Sequence, residues 1–405
     1  MRKTVFVALA ALVLCAPRVL ARQMKAPDFP EEMDKADLVC AAMVESVRDT
    51  GRRDYVHGIH YAQPVTYPVR EASLKVLVRV KVARPVPDTI KLLYKAHGPD
   101  SPRDNGAGLL RLKVGHSMLF ALRWDEGQQA YRLSAADPDP EQAAIFVSPR
   151  VKLGVDLSPL EDARSIVWQT VTDEELPPVF RAWALNRYPE LRFPGTPHHL
   201  IGKPSGPQFS EGEFILLRRL AGGKSPLSVT AIWFLGNYGR DAETLMRILL
   251  DTTSATANRT AALQYLLHTP VRENQVDLPW LALVTDKDTA FVQTLLDYYP
   301  SYHEKVPTNE RRHFAEEALK RLRSRDAFAV STGTSVLITQ DRDRFADVVL
   351  MRMEASDATT LSAMSVALCN IFRDSSVLRM YNPNKDADQI IQYWRKRLAE
   401  PLPEQ

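Results

Sequence analysis

The sequence has 405 residues, of which 52 are Lys or Arg, 49 are Asp or Glu, and 45% are apolar. This near balance of charge argues against a nucleic-acid-binding protein, which needs a basic excess, and the apolar fraction argues against disorder. A chain of this length exceeds what one core usually organises, so we expect two domains and a connector.

The N-terminus has the pattern of a secretory signal peptide. A basic pair at residues 2–3 precedes an apolar run at 5–14, and small or apolar residues follow before the expected cleavage point. Removal of residues 1–21 would leave 49 basic and 49 acidic residues in an exported, periplasmic or extracellular chain. The apolar run is too short for a transmembrane helix, and no later segment qualifies. A lipid anchor at Cys15 is disfavoured because Leu14, rather than a small residue, precedes it.

Residues 28–136 are predicted to form a small antiparallel β-barrel. The first strand is expected at residues 36–46. The segment "ASLKVLVRVKVARP" alternates basic residues with an apolar stripe, which indicates a half-buried strand with Leu74, Val76, Val78, Val80 and Val82 on one face. Further strands are expected at residues 89–94, 108–114, 117–124 and 130–134, with "WDEGQQ" as a hairpin turn between the last two.

The order of these segments resembles the oligonucleotide/oligosaccharide-binding (OB) barrel in its netrin-like form. The resemblance covers residues 36–136 and rests on "ADLVCAAMVESV", "LKVLVRVKVARPVPDTIKLLY" and "LKVGHSMLFALRWDEGQQAYRL". It implies a recognition module, although the disulfides of animal netrin-like domains are absent. After signal removal only Cys40 and Cys369 remain. Two separate buried thiols are the favoured interpretation, with a disulfide between them as the alternative.

Residues 137–210 are predicted to be a proline-rich connector that contains one short helix. Segments such as "DPDPEQ" and "YPELRFPGTPHHLIGKPSGP" are rich in proline, which is excluded from helix interiors. The short helix is expected at residues 178–186.

Residues 211–400 are predicted to form an α-helical repeat array. Asp241 is placed to cap a helix with one apolar face, formed by Leu245, Ile248 and Leu249. Gly236 and Gly239 are expected to let the chain reverse after the preceding helix. Later helices are expected at residues 309–322, 342–353, 359–372 and 387–398.

Similar helices recur along this part of the chain. Thr230-Ala231 and Thr260-Ala261 are expected to begin comparable apolar helices 30 residues apart, and "RILLD" at 247–251 recurs as "QTLLD" at 293–297. The segment "SVTAIWFLGNYGRDAETLMRILLD", followed by "ANRTAALQYLL", resembles HEAT-type repeats over about 40 residues. The resemblance implies a stacked array with an extended binding face.

The sequence contains no motif that predicts catalysis, a cofactor or a metal site. The histidine pairs His57/His60 and His198/His199 have no neighbouring ligands that complete a tetrahedral set. The carboxylates of "DPDPEQ" and "TDEEL" are typical of solvated surface. Nucleophile elbows, phosphate-binding loops and metalloprotease motifs are missing.

The predicted function is therefore that of an exported, non-enzymatic binding or scaffold protein, which recognises an envelope protein or a polysaccharide. Tyr298, Tyr299 and Tyr302 in "DYYPSYHEK" are the candidate binding surface, because aromatic rings bury much area at little entropic cost. The alternative is an envelope hydrolase with an unrecognised site at the junction of the two domains.

Overall fold

The computed structural model describes residues 29–56, 65–96, 112–135, 143–196, 201, 206–239, 241–268 and 277–400. The chain divides into two compact units, residues 1–201 and 202–405. The described part of the first unit contains one six-stranded sheet and three helices, and that of the second unit is helical. The prediction of a mixed α+β protein, with the sheet before the helices, is confirmed. The predicted signal peptide and both histidine pairs lie outside the described residues.

The first unit has nine described elements. They are α1 (Phe29–Lys35), β1 (Leu38–Val56), β2 (Val65–Val82), β3 (Thr89–Lys95), β4 (Ser117–Asp125), β5 (Ala130–Leu133), β6 (Ala144–Phe146), α2 (Pro159–Thr172) and α3 (Pro178–Arg192). The strands pair in the order β1-β2-β3-β5-β4-β6, and β4 also pairs with β1. The β3–β5 pair is parallel, so the prediction of a purely antiparallel arrangement is wrong at this position. Of the strand predicted at residues 108–114, the described residues 112–114 are not in a strand.

The core of the sheet follows the two-residue alternation of its strands. On β1, Leu38, Cys40, Ala42 and Val44 are buried in one cluster with apolar residues of β2, β3, β4 and β5. The apolar stripe predicted on β2 is buried only at its beginning, as Val82 is 45% exposed. The end of β2 is more exposed because β3 pairs with β2 only as far as residue 75. Beyond that point β2 pairs with β1 alone.

Strands β1 and β2 are longer than their apolar patterns predict. Their distal halves, residues 48–56 and 65–71, pair with each other through mostly polar residues. Arg48 and Glu71 face each other across the ribbon, with 2.6 Å between Nη2 and Oε1. Because this ribbon combines cross-strand pairs of opposite charge with the buried side chains of Tyr67 and Val69, hydrophobic alternation alone does not reveal its full length.

Two helices, rather than one, lie in the segment predicted as a connector. Helix α3 is the expected one and extends to Arg192, whereas α2 was not predicted. A capping box begins α2: the Ser158 hydroxyl accepts a hydrogen bond from the Glu161 N–H, and the Glu161 carboxylate accepts one from the Ser158 N–H. Both helices pack within the first unit, where α3 contacts β6 and α2 contacts β2.

The second unit has eleven described α-helices. They are α4 (Glu211–Ala221), α5 (Pro226–Phe234), α6 (Ala242–Leu250), α7 (Thr256–His268), α8 (Trp280–Val284), α9 (Thr289–Tyr302), α10 (Thr308–Leu322), α11 (Ala327–Glu354), α12 (Ala358–Phe372), α13 (Ser376–Met380) and α14 (Ala387–Ala399). A π-helical turn at Leu235–Gly239 follows α5. Helix α11 is interrupted at Asp341, where the backbone leaves the helical region. The helix predicted at residues 342–353 is its second half.

Four of these helices stack in series. Helix α5 contacts α7, α7 contacts α9, and α9 contacts α11. They begin at residues 226, 256, 289 and 327, so successive members are 30, 33 and 38 residues apart. Because no uninterrupted segment of these helices is long enough to be stable alone in water, α11 being broken at Asp341, their apolar sides must be covered by neighbouring helices.

The local signals predicted around α6 are present. Asp241 caps the helix by accepting a hydrogen bond from the Thr244 N–H at 3.0 Å, and the predicted apolar face is buried. Gly236 has a role in packing, because a Cβ there would lie 2.4 Å from the ring of Tyr265 on α7. The glycine therefore permits close approach of two stacked layers.

Gly333 on α11 is expected to be intolerant of alanine. In a helix interior Gly→Ala usually stabilises by up to about 1 kcal/mol. Here a Cβ would lie 2.7 Å from the Ala318 carbonyl oxygen and 2.8 Å from the Leu322 nitrogen, both backbone atoms of α10. We expect Gly333→Ala to lower the free energy of unfolding by about 1–3 kcal/mol, measured by urea unfolding with far-UV circular dichroism. Gly212→Ala is the control, because nothing lies within 4 Å of its added Cβ; an equal loss in both variants would contradict the prediction.

None of the described helices combines the length and the hydropathy that a membrane span requires.

Candidate functional site

Two adjoining clefts lie over the C-terminal half of α10 and form the candidate site. One has a volume of about 230 Å³ and is lined by residues 284–292 and 313–321. The other has a volume of about 430 Å³ and is lined by residues 289–293 and 320–329. They share Thr289, Lys320 and Arg321. We call the combined depression the polar groove.

The local sequence of α10 explains why its polar side faces the groove. Phe314, Ala315, Ala318 and Leu322 recur at helical spacing and are buried. The opposite face of α10 therefore carries the charged residues that lie between these buried positions. Of these, residues 316–317 and 320–321 line the groove.

The N-termini of α9 and α11 also border the groove, and an aspartate caps each of them. Asp288 accepts hydrogen bonds from the N–H groups of Ala290 and Phe291, both at 3.1 Å. Asp326 accepts from Phe328 and Ala329 at 2.8 and 3.0 Å. These carboxylates complement the partial positive charge of the two helix ends, so neither N-terminus is an open anion site.

Charge is unevenly distributed along the groove. At its centre the Glu317 carboxylate pairs with two cations, 2.9 Å from Arg321 Nη1 and 2.8 Å from Lys320 Nζ. Towards α8, Glu316 lies 3.4 Å from the ring of His313. Towards α11, the exposed side chain of Arg323 lines the wall. The groove therefore has an acidic end at Glu316 and a basic end at Arg323.

One acidic wall residue of the groove is neutralised from inside the protein. Asp286 Oδ2 lies 2.5 Å from Arg259 Nη2, and the two side chains are only 8% and 1% exposed. Arg259 also donates from Nε to the Leu249 carbonyl at 2.9 Å and lies over the Phe291 ring. The hydrogen bond from Arg259 is the main reason that the pKa of Asp286 is lowered. This pair ties α7 to the segment between α8 and α9.

A desolvated carboxyl lies behind Gln293, a residue of the groove wall. Asp297 Oδ1 accepts hydrogen bonds from the Thr332 hydroxyl and, at 3.2 Å, from Gln293 Nε2. Burial raises the pKa of Asp297 to about 6, against the lowering effect of those hydrogen bonds and of the Arg321 charge. The cluster joins α9 to α11, because Gln293 also donates to the Thr332 hydroxyl at 2.6 Å.

The expectation that Tyr298, Tyr299 and Tyr302 form an exposed binding surface is wrong for two of them. Tyr299 and Tyr302 are 0% and 2% exposed. Tyr302 stacks on Trp280 with 5.0 Å between ring centroids, and Tyr299 packs on Phe314 at 4.9 Å. The helix α9 continues through this segment as far as Tyr302, so its tyrosines fill the interface with α8 and α10 instead of projecting from a loop.

Tyr298 is partly buried and receives a hydrogen bond from Gln264 of α7. It therefore belongs to the polar contacts between stacked helices. Sequence reasoning placed the binding residues on α9 and missed the groove side chains of α10. The charged residues between the buried positions of α10 were the available signal, but they are also typical of a solvated face.

The other clusters of reactive side chains are arranged for structure. Ser376 Oγ lies 2.9 Å from the Tyr393 hydroxyl, which donates to Asp374. Hydrogen bonds from Tyr393 and Ser376 lower the pKa of Asp374 to about 2, while burial is the main reason that the pKa of Tyr393 is raised. A strongly ionised aspartate and a weakly acidic tyrosine provide no base that would activate the serine near neutral pH.

Cys40 and Cys369, the two cysteines among the described residues, are buried and form no disulfide. Burial raises the pKa of Cys40 to about 12 and that of Cys369 to about 11. Since the thiolate is the reactive form, neither is suited to nucleophilic catalysis. Within the described ranges, no three His, Cys, Asp or Glu residues are grouped so that they could bind a metal ion.

The first unit has a partly exposed aromatic cluster that sequence reasoning did not identify. His116, Phe146 and Phe180 contact one another with centroid distances of 4.8–5.3 Å, and Trp183 adds a contact to Phe146 at 5.0 Å. Trp183 is 39% exposed. Burial lowers the pKa of His116, so its ring is predominantly neutral near neutral pH.

Comparisons of this chain with protein-family models, curated proteins and solved structures give no match.

Proposed function

We propose that this protein is an exported, non-enzymatic binding or scaffold protein that recognises an envelope protein or a polysaccharide. The observation that supports this most directly is the polar groove, a shallow charged depression built across four helices of a stacked array. The reactive side chains described above are engaged in helix caps, ion pairs or the core. Broad surfaces of this kind suit recognition of a macromolecule better than enclosure of a small substrate.

The stacked helices support the assignment of the second unit to a HEAT-like array. Helices α5, α7, α9 and α11 are spaced by 30 to 38 residues and contact one another in order. Polar ties recur between successive members: Asn237 donates to Tyr265 at 3.2 Å, Gln264 to Tyr298, and Gln293 to Thr332. Repeated ties between neighbours are typical of arrays in which each repeat stabilises the next.

The strand pairings support the assignment of the first unit to an OB-type barrel, as in netrin-like domains. The order β1-β2-β3-β5-β4 returns to β1 through the β4–β1 pair, so five strands form a closed ring of pairings. One apolar cluster is drawn from all five of these strands. An OB-type barrel is a recognition module, which is consistent with a binding role.

The function is tested by capture of a partner from the envelope. The tagged mature chain, starting after residue 21, is crosslinked in its own envelope fraction, and bound proteins and polysaccharides are identified. We expect specific capture that competes with untagged protein. In parallel, the chain is assayed on panels of esters, glycosides and peptides. Turnover of one of these classes without any captured macromolecule would contradict the proposal and favour the hydrolase alternative.

A further inference from the structure

The polar groove has unsatisfied binding capacity at its basic end. One carboxylate, Glu317, serves both Lys320 and Arg321. The remaining contacts of Arg321 are weak: Nη2 lies 3.5 Å from the Thr289 carbonyl oxygen, and the buried Nε has no acceptor. Within the part of the chain that the structure describes, Arg323 forms no ion pair.

Asp326 lies at the same end of the groove and offsets only part of this excess, because the three cations Lys320, Arg321 and Arg323 face two carboxylates, those of Glu317 and Asp326. Its Oδ1 accepts two backbone N–H groups of α11 and so complements the partial positive charge of that helix end. The carbonyl groups at the C-terminal end of α10 are also satisfied, because Arg352 donates to those of Leu322 and Ser324 at 2.9 and 3.0 Å. Arg323 is therefore not needed as a cap for α10.

The acidic end of the groove is complementary in sign. Glu316 is 63% exposed at its side chain, and its partner His313 neutralises it only when the imidazole is protonated. A cation of a bound molecule would thus find the exposed Glu316 carboxylate there, while an anion would find Arg323 at the opposite end. A polyanion such as a nucleic acid or an anionic lipid surface would be attracted at one end and repelled at the other.

The distance between the two ends matches a short stretch of extended peptide. Arg323 is the C-cap of α10 and lies seven positions after Glu316, which is about 10 Å along the helix axis. An extended chain in the polyproline II conformation rises about 3.1 Å per residue with three residues per turn, so opposite charges three residues apart lie on one side of the chain and would reach both ends. Phe328, which is 49% exposed, adds an apolar surface beside the basic end.

We propose that the polar groove binds an extended segment of a partner protein, with an acidic side chain at Lys320 and Arg323 and a basic side chain, about three residues away, at Glu316. This inference rests on the proposed binding function. It specifies that the partner is a protein rather than a polysaccharide. The groove therefore selects a segment by the separation of its opposite charges rather than by its net charge.

Fluorescent eight-residue peptides test the inference, measured by fluorescence anisotropy on the full mature chain. The three probes contain, at positions three apart, one Asp and one Lys, two Asp, or two Lys, in otherwise identical Gly-Ser-Ala sequence. We expect the mixed peptide to bind best to the wild type. Arg323→Glu should lower the affinity for the mixed peptide by roughly five- to tenfold and should bind the two-Lys peptide best of the three. Glu316→Lys should bind the two-Asp peptide best.

Arg325→Glu is the matched control, because it makes the same charge change at an exposed residue that does not line the groove. Equal weakening by Arg323→Glu and Arg325→Glu, best binding of the two-Asp peptide to the wild type, or no binding of any probe at millimolar concentration would overturn the inference. Circular dichroism and urea midpoints establish that each variant is folded. Suppose that no peptide binds, while both the wild type and Arg323→Glu capture the same envelope partner. That result would contradict the inference about the groove but would support the proposed binding function.

Discussion

Replacing Asp286 by alanine is expected to lower the free energy of unfolding by about 3–5 kcal/mol. The substitution leaves the guanidinium of Arg259, which is 1% exposed, without its carboxylate partner. A buried charge without its counter-ion is far more costly than the loss of an exposed ion pair, because the Leu249 carbonyl and the Phe291 ring replace only part of the water that Arg259 has lost. Urea unfolding of the protein, followed by far-UV circular dichroism, measures the effect.

Glu354→Ala provides the comparison for Asp286→Ala. Glu354 and Arg395 are also 2.5 Å apart, but both side chains are nearly half exposed. We expect this variant to lose at most about 1 kcal/mol. If the two variants lose the same free energy, the Arg259–Asp286 pair does not stabilise the stack between α7 and α9.

The effect of Asp286→Ala should also depend on pH. The pKa of Asp286 is lowered in the folded state, so its ionised form stabilises the protein above the pKa of the unfolded chain. This stabilisation is lost as pH falls through the folded pKa. The difference between the wild type and Asp286→Ala should therefore shrink in acid.

Replacing Asp297 by asparagine is expected to stabilise the protein above pH 6 and to leave it nearly unchanged near pH 4. The pKa of Asp297 is raised to about 6 from an ordinary 3.8, so the folded state binds its proton more tightly than the unfolded state. Stability therefore falls as pH rises from about 4 to about 6. The loss is at most about 3 kcal/mol once the carboxyl is ionised. Asparagine keeps an oxygen that accepts from Thr332 and Gln293 but has no charge to desolvate.

Unfolding free energies across pH 4–8 give the measurement for Asp297→Asn. The wild-type curve should decline over this window relative to the variant, with the two curves meeting at the acid end. Asp288→Asn is the control, since Asp288 lies in the same unit with a lowered pKa. Its profile should diverge from the wild type in the opposite direction, with less stability at neutral pH. A pH-independent gap between the wild type and Asp297→Asn would contradict the assignment of a raised pKa.

Much of the secondary structure could be predicted from short-range patterns. The alternation on β2, the helical spacing of Leu245, Ile248 and Leu249, and the cap at Asp241 each depend on neighbours within a few residues. Helix α2 was missed although its capping box at Ser158 and the proline at its first turn were visible in the sequence. Its acidic and proline-rich surroundings resembled a connector.

The first half of α11 was missed for a different reason. Residues 327–340 are rich in Val, Ile, Thr and Ser, which favour strands or turns in isolation. Val330, Val336 and Ile338 are buried in the array, and Gly333 allows the helix to approach α10 at backbone distance. Burial against neighbouring helices thus overrides the local preference, and no window of sequence contains that information.

Local sequence patterns were sufficient to predict that a β-rich part precedes a helical part, where most strands and helices lie, and that familiar catalytic motifs are missing. Caps, alternation and helical periodicity are interactions between residues close together in the chain. By contrast, local patterns did not predict that Tyr299 and Tyr302 are core residues or that Thr289, Lys320 and Arg323 line one groove. Those outcomes depend on which faces of separate helices meet, and the free energy that selects them comes from packing between segments distant in sequence.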